Sequence, residues 1–284
     1  MSESLPQLAD VLKNLTDMPS LPTVVARLTR LIADPKTTAS DINVVLSSDP
    51  GLVAKILKLV NSSYYGFSRR ITTITNAVVI LGFNQVRNLA LSAFLFDKFA
   101  GTKNSGFDVN GFWKHSIGTA FTGAQIARHF ALKLEEDAFI CGLLHDLGKF
   151  IMAQNAPEHM VMVLDRARKK DILFHSAEQE CLGYDHALLG AAVMERWNLP
   201  ETLVEVVRNH HDPLTTSDKS LQLCCVTNLA DIVCRAVLIG NGGDRKIPLL
   251  AEEVWKRTRL DWPGLEAIIR KVADEYSKAD AFFS

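Results

Sequence analysis

The sequence predicts an all-α protein. Three observations carry that reading. Apolar residues recur at helical spacing in nearly every segment, strand-like alternation is sustained nowhere, and Pro, Gly, Asp and Ser fall where helices need ends. Thr23 to Ile32 places Val24, Val25, Leu28, Leu31 and Ile32 on one side, and Asp41 to Leu46 and Leu52 to Val60 repeat the pattern. Between them, Pro19-Ser20-Leu21-Pro22, Asp34-Pro35 and Asp49-Pro50-Gly51 act as stop-and-start signals, with Asp or Ser as caps and Pro in the first turn. Ile74 to Phe96 reads as two helical pieces hinged near Gly82. The loop-like run Gly101 to Gly106 marks a sub-domain boundary, giving parts 1–105 and 106–284. In the second part, helices are expected over roughly Asn110 to Phe130, Glu135 to Leu147, Pro157 to Lys170, Ser176 to Cys181, Asp185 to Trp197, Glu201 to Asn209, Ser220 to Leu238, Leu249 to Thr258 and Pro263 to Ser277. Ile71 to Ile74 and Ile172 to His175 are candidates for short extended pieces. Gly240-Asn241-Gly242-Gly243-Asp244 reads as a loop; it lacks the Lys-Ser/Thr ending of a phosphate cradle and is assigned no chemistry.

Composition narrows the function classes. The 284 residues, 48% hydrophobic and 22% charged, suit a folded globule rather than a disordered chain. Lys plus Arg is 31 against 32 acids, net −1, which argues against nucleic-acid binding through bulk charge. No apolar run approaches the roughly 20 residues of a membrane-spanning helix. The N-terminus shows no basic start followed by an apolar core, so a cytoplasmic location is expected. Five cysteines, an odd number with no C-x-x-C pair, read as buried reduced thiols.

The histidines carry the chemical information. His145-Asp146 ends an apolar helix, and Gly148 offers a left-handed stop. Burying an imidazole beside a carboxylate is costly unless a cation compensates, and that donor pair suits Fe, Mn, Zn or Co. A helix-end His with a solvated Asp explains the dipeptide equally well. His210-His211 closes another helix, as ligands or as dipole-stabilised surface residues. His115, His186 and Asp231 are isolated polar residues on apolar helices, and Asp231 has Arg235 four residues on as an alternative partner.

In chain order the set is His115, His145-Asp146, His186, His210-His211, Asp231. This order resembles the metal signature of the HD superfamily of phosphohydrolases, in the extended form of HD-GYP proteins. Further motifs resemble the HDOD family, the HD-related output domain of bacterial signalling proteins. They are Leu21-Pro22, Asp34-Pro35, Asp49-Pro50-Gly51-Leu52, Asn61-Ser62-Ser63-Tyr64-Tyr65-Gly66, Leu81-Gly82, His115-Ser116, Gly142 to Lys149, His186 with Gly190, and Trp197-Asn198-Leu199-Pro200. The resemblance spans about Leu5 to Leu238. It implies an all-α HDOD fold, with an N-terminal helical part packed on an HD-like metal-binding part. It also implies one or two divalent ions. One would be held by His115, His145, Asp146 and Asp231; a second would share Asp146 and take His186, His210 and His211. Lys149 and Asp146 would be the catalytic candidates, with Lys149 near a bound phosphate or, in the plainer reading, a solvated helix-end cation.

The departures count too. Asp212-Pro213-Leu214-Thr215 stands where HD-GYP proteins have Glu and then Gly-Tyr-Pro, which weakens a claim of cyclic dinucleotide hydrolysis. Two expectations lead. One is a regulatory protein that keeps a metal site and binds a protein partner through its N-terminal half. The other is an active phosphohydrolase acting on a nucleotide or cyclic dinucleotide phosphoester. A nucleic-acid-associated regulator, motivated by Ser68-Arg69-Arg70, is opposed by the neutral charge.

Overall fold

A computed structural model describes residues 23–32, 34–61, 65, 67, 69–99, 106–129, 134–243 and 246–283. The expectations for Leu21-Pro22, Ser62 to Tyr64, Gly66, Ser68, the run 101–105 and Asp244 lie outside these residues. Among the described residues the regular structure is helical, without a strand, and no helix is long and apolar enough to cross a membrane. The chain divides into two compact units, residues 19–100 with 271–284, and residues 101–270 with 1–18.

The first unit contains α1 (Thr23–Ile32), α2 (Ala39–Leu46), α3 (Pro50–Val60), α4 (Ile74–Leu81) and α5 (Phe83–Phe99). Its helices start where the sequence supplies caps. Thr38 and Asp41 form a capping box on α2, with the Asp41 carboxylate accepting from the Thr38 amide at 2.9 Å. Asp49 caps α3 ahead of Pro50. Gly82, at φ 84°, turns the chain between α4 and α5 at the expected hinge. Leu28, Ile42, Leu46, Ile56, Ile74 and Leu89 form the core. Asn61 closes the segment after α3: its amide donates to Leu57 O and Ile71 O, and its carbonyl accepts from Ile71 N, each at 2.7 Å.

The second unit is built around α6 (Val109–His129), which is buried on nearly every face from Gly111 to Ala127. It packs against α7 (Glu135–Leu144) and α13 (Asp218–Ala236). Between these in sequence come α8 (Leu147–Asn155), α9 (Pro157–Lys170), α10 (Phe174–Leu182), α11 (His186–Arg196), α12 (Glu201–Asn209) and a 3-10 turn at Pro213–Thr215. After them come α14 (Glu252–Thr258) and α15 (Trp262–Phe283), of which the part up to Arg270 belongs to this unit. α8 packs on α11, α11 on α12, and α12 on α13. The five cysteines are free and buried.

Two local expectations are corrected. The suggested extended pieces form no strand: Thr73 and Leu173 are extended, but as the residues that lead into α4 and α10, and Phe174 and His175 already belong to α10. Gly148 is not a left-handed stop but lies inside α8. Its lack of a side chain matters for close packing: a Cβ there would sit 2.0 Å from His186 O and 2.9 Å from Gly190 N, both backbone atoms of α11.

Candidate metal centre

Five chain segments deliver the candidate ligands. His115 projects from the middle of α6, and His145 and Asp146 form the turn between α7 and α8. The Gly148 contact brings α11 against α8. Asp185 caps α11 through Leu188 N at 3.0 Å, so His186 is the first helical residue, beside that turn. His210 closes α12, and its carbonyl accepts from Asn228 Nδ2 of α13 at 2.8 Å. Asp231 lies one turn further along α13. His115, His145, Asp146, Lys149, His186, His210 and Asp231 are all at most 1% exposed, while His211 is half-buried.

All of the expected residues are brought together. Asp146 is the hub: His186 Nε2 lies 3.0 Å from its Oδ1 and His210 Nε2 3.8 Å, while His145 Nε2 lies 3.4 Å from Oδ2 and His115 Nε2 3.9 Å. Asp231 Oδ1 is 2.9 Å from His115 Nε2, 3.7 Å from His145 Nε2 and 2.7 Å from Arg235 Nε. His211 Nε2 is 2.9 Å from His186 Nε2. The ligand atoms fall into two close groups, one of His115, His145 and Asp146, the other of His186, His210 and His211. Lys149 is not solvated at a helix end; it is buried in the first turn of α8, with Nζ 2.9 Å from Asp146 Oδ2 and 5.0 Å from the Phe174 ring centre.

Three imidazoles have one nitrogen already committed. His145 Nδ1 donates to Gly142 O at 2.7 Å, His210 Nδ1 to Val207 O at 2.7 Å, and His186 Nδ1 to Glu178 Oε2 at 2.5 Å. With Nδ1 committed, Nε2 is the nitrogen each ring turns toward the centre, a lone pair for a metal once any proton on it has left. The buried Nε2 atoms of His115, His145 and His210 and the Oδ1 of Asp146 make no hydrogen bond. Orphaned lone pairs converging on a carboxylate are costly unless a cation receives them. Imidazole and carboxylate donors at this spacing fit a divalent transition metal.

The electrostatics agree. Burial pushes the Asp146 carboxyl up, but His145, Lys149 and His186 overcome it and hold it well below the usual range. Burial likewise raises Asp231, and Arg235 and His115 hold it well below. Burial lowers His115 against the pull of Asp231, and it drives His210 and His211 well below the ordinary imidazole value. In His145 burial is outweighed by Asp146, and in His186 by Glu178, so each is raised to about 9. A field that draws protons onto two imidazoles draws a divalent cation in the same way, by exchange.

Two features were missed in the sequence. Glu178, fully buried on α10, backs His186. Its signal was the helical stripe Phe174, Ala177, Glu178, Cys181, in which the acid takes an inward position among buried residues. The second is the loop from Gly240, to which no chemistry was assigned. It roofs the centre: a Cβ on Gly242 would stand 3.0 Å from Asp146 Oδ2 and from His115 Cδ2, so a side chain there would crowd both. His115, Arg235, Gly242 and Lys246 help to line a cleft of about 350 Å³ beside this loop.

The chain is similar to known proteins in both sequence and shape. It is 30% identical over 205 residues to an uncharacterised protein of Treponema pallidum (strain Nichols), covering 72% of this chain and 39% of that protein's length. Among solved structures it resembles an HDOD domain protein of unknown function from Geobacter sulfurreducens, with a TM-score of 0.81, 23% identity and 96% of each chain covered. A candidate phosphohydrolase from Shewanella amazonensis SB2B aligns with a TM-score of 0.70, 25% identity and 93% of each chain covered. A candidate signal transduction protein from Marinobacter aquaeolei VT8 gives 0.76 at 23% identity, over 95% of this chain and 60% of that one. The HDOD domain model matches residues 18–213, more than half of the sequence. The chain therefore belongs to the HDOD domain family.

Proposed function

We propose that the chain is a signalling or regulatory protein that keeps an HD-type centre for one or two divalent ions, of Fe, Mn, Zn or Co. The observation that carries this reading is the convergence of Nε2 atoms on Asp146 from imidazoles whose Nδ1 atoms are already committed. His115, His145, Asp146 and Asp231 would hold one ion. His186, His210 and His211 would hold the other, with Asp146 shared. Bound ions of this kind polarise phosphoryl oxygens and lower the pKa of water. The protein's own part is to orient the imidazoles, to keep both acids ionised, and to exclude water with the glycine roof.

The first unit offers a face for a protein partner. Leu57, Lys58, Phe67, Arg70 and Ile71 help to line a cleft of about 730 Å³, and Phe67 stacks on Tyr65 with ring centres 5.9 Å apart. Residues 50–96 carry Lys55, Lys58, Arg69, Arg70 and Arg87 and no acid, in a chain of net charge −1. That imbalance favours an acidic partner surface.

A second reading, a phosphohydrolase acting on a nucleotide or cyclic dinucleotide phosphoester, is favoured by one observation. Lys149 places a buried ammonium beside Asp146, where it could stabilise charge on a phosphoryl group. The likeness to the Shewanella candidate phosphohydrolase adds to it. Elemental analysis of the purified wild type beside Asp146→Ala tests the centre. Stoichiometric metal that disappears in the variant is expected; metal-free wild-type protein, or equal metal in both, overturns it. A hydrolysis panel with His145→Ala/Asp146→Ala then separates the readings, since turnover that survives this variant rejects the enzyme.

A further inference from the structure

We propose that Glu178 is a positioning residue of the centre, acting through His186 to set the affinity of the ion position made by His186, His210 and His211. The inference rests on the metal-centre reading above. Glu178 is fully buried on α10, where a carboxylate is costly without a partner. Its Oε2 accepts from His186 Nδ1 at 2.5 Å, and its Oε1 makes no hydrogen bond. Packing alone gives no reason for an acid here, because Phe174, Ala177 and Cys181 fill the rest of the inward stripe with apolar groups.

The three oriented imidazoles are not treated alike. His145 and His210 each donate Nδ1–H to a backbone carbonyl of their own preceding turn. His186 donates to a full negative charge from another helix. A carboxylate behind the ring fixes the tautomer and orientation and makes the opposite nitrogen a stronger donor. That nitrogen, Nε2, stands 3.0 Å from Asp146 Oδ1 and 2.9 Å from His211 Nε2, at the junction of the two ion positions.

Charge balance points to the same role. The His115–His145 position has two carboxylates to offset a dication, Asp146 beside Lys149 and Asp231 beside Arg235. The His186–His210–His211 position has three neutral donors and only a share of Asp146. Glu178 supplies the missing negative charge one hydrogen bond behind the ligand.

The test uses the full chain and Mn(II) as the probe. Binding is measured by calorimetry for wild type, Glu178→Ala, Glu178→Gln, His186→Ala and the Glu178→Ala/His186→Ala double variant. Glu178→Ala is expected to weaken binding by about 10–100-fold. Glu178→Gln keeps an acceptor for Nδ1–H but not the charge, and should fall between Glu178→Ala and wild type. The double variant should bind no more weakly than His186→Ala alone, because Glu178 works through that ring. Nitrogen-15 spectra should show the Nδ1–H form of His186 lost in Glu178→Ala while His145 and His210 keep theirs. Wild-type affinity in a folded Glu178→Gln, additive losses in the double variant, or simultaneous loss of all three tautomers overturns the inference. The metal-centre reading fails separately, if Asp146→Ala keeps its metal.

Discussion

Replacing Gly148 by alanine tests the packing that assembles the centre. In an ordinary buried helix this change stabilises, because alanine exceeds glycine in helix propensity by about 1 kcal/mol. Here the new Cβ would meet His186 O at 2.0 Å, His186 C at 2.8 Å and Gly190 N at 2.9 Å, all backbone atoms that cannot rotate away. Relaxing the shortest of these to an ordinary contact of 3.4 Å requires α8 and α11 to part by about 1.4 Å. Overpacking of this kind costs about 1–3 kcal/mol. At roughly 2–4 °C per kcal/mol, the melting temperature should fall by several degrees rather than rise. The same displacement pulls His186 Nε2 from its 3.0 Å approach to Asp146 Oδ1, so the metal content should drop with it. Thermal denaturation and elemental analysis of Gly148→Ala beside wild type read both effects. A variant as stable as wild type or more so, with unchanged metal, refutes the argument.

Three further expectations concern other parts of the molecule. Asn61→Ala removes three hydrogen bonds, two with Ile71 and one with Leu57 O, each with a net worth of about 1 kcal/mol. The first unit should lose about 2–3 kcal/mol on the same basis, and amide exchange at Ile71 should accelerate; an unchanged exchange rate contradicts this. His145 and His186 are raised to about 9, by Asp146 and Glu178 against the opposing effect of burial, so both hold protons at pH 7 in the metal-free protein. A metal ion must displace those protons. Mn(II) affinity should therefore climb from pH 7 to about 9 and level off above it, with proton release visible by calorimetry in buffers of different ionisation enthalpy; a flat profile contradicts the assignment. Gly242→Ala brings a methyl to 3.0 Å from Asp146 Oδ2 and His115 Cδ2. It should weaken Mn(II) binding several-fold while barely moving the melting temperature, and wild-type binding would show that the roof does not touch the site.

Much of this was legible in the sequence, for identifiable reasons. Helical periodicity with proline at the first turn located Pro157–Lys170 at both ends, and Glu201–Asn209 matched as well. The seven candidates stood out as imidazoles and acids on apolar helices, each with a plain structural alternative; only the resemblance to the HD superfamily joined them as ligands, and the structure brings all seven together. Arg235 also takes the place suggested for it, beside Asp231. Glu178 escaped notice because Glu178-Gln179-Glu180 looks like a solvated run, and only its phase relative to Phe174 and Cys181 shows that the first of the three faces inward. Gly148 was misjudged because a glycine after a helical run is as compatible with a stop as with close contact. What decides between them is the backbone of α11, some forty positions away. The Gly240 loop was judged against a phosphate-cradle motif, while its use here is to lie flat over side chains from α6 and the α7–α8 turn.

The spread of the ligands along the chain has a consequence for how the centre comes into being. His115 and Asp231 meet at 2.9 Å although α7 to α12 lie between them in sequence. Closing so long a loop costs entropy that only late, non-local contacts repay. Each three-residue group comes from a limited stretch of chain, His115 to Asp146 and His186 to His211, whereas Asp231 joins them only from α13. The contact between His115 and Asp231 therefore forms only once α13 has docked on α6.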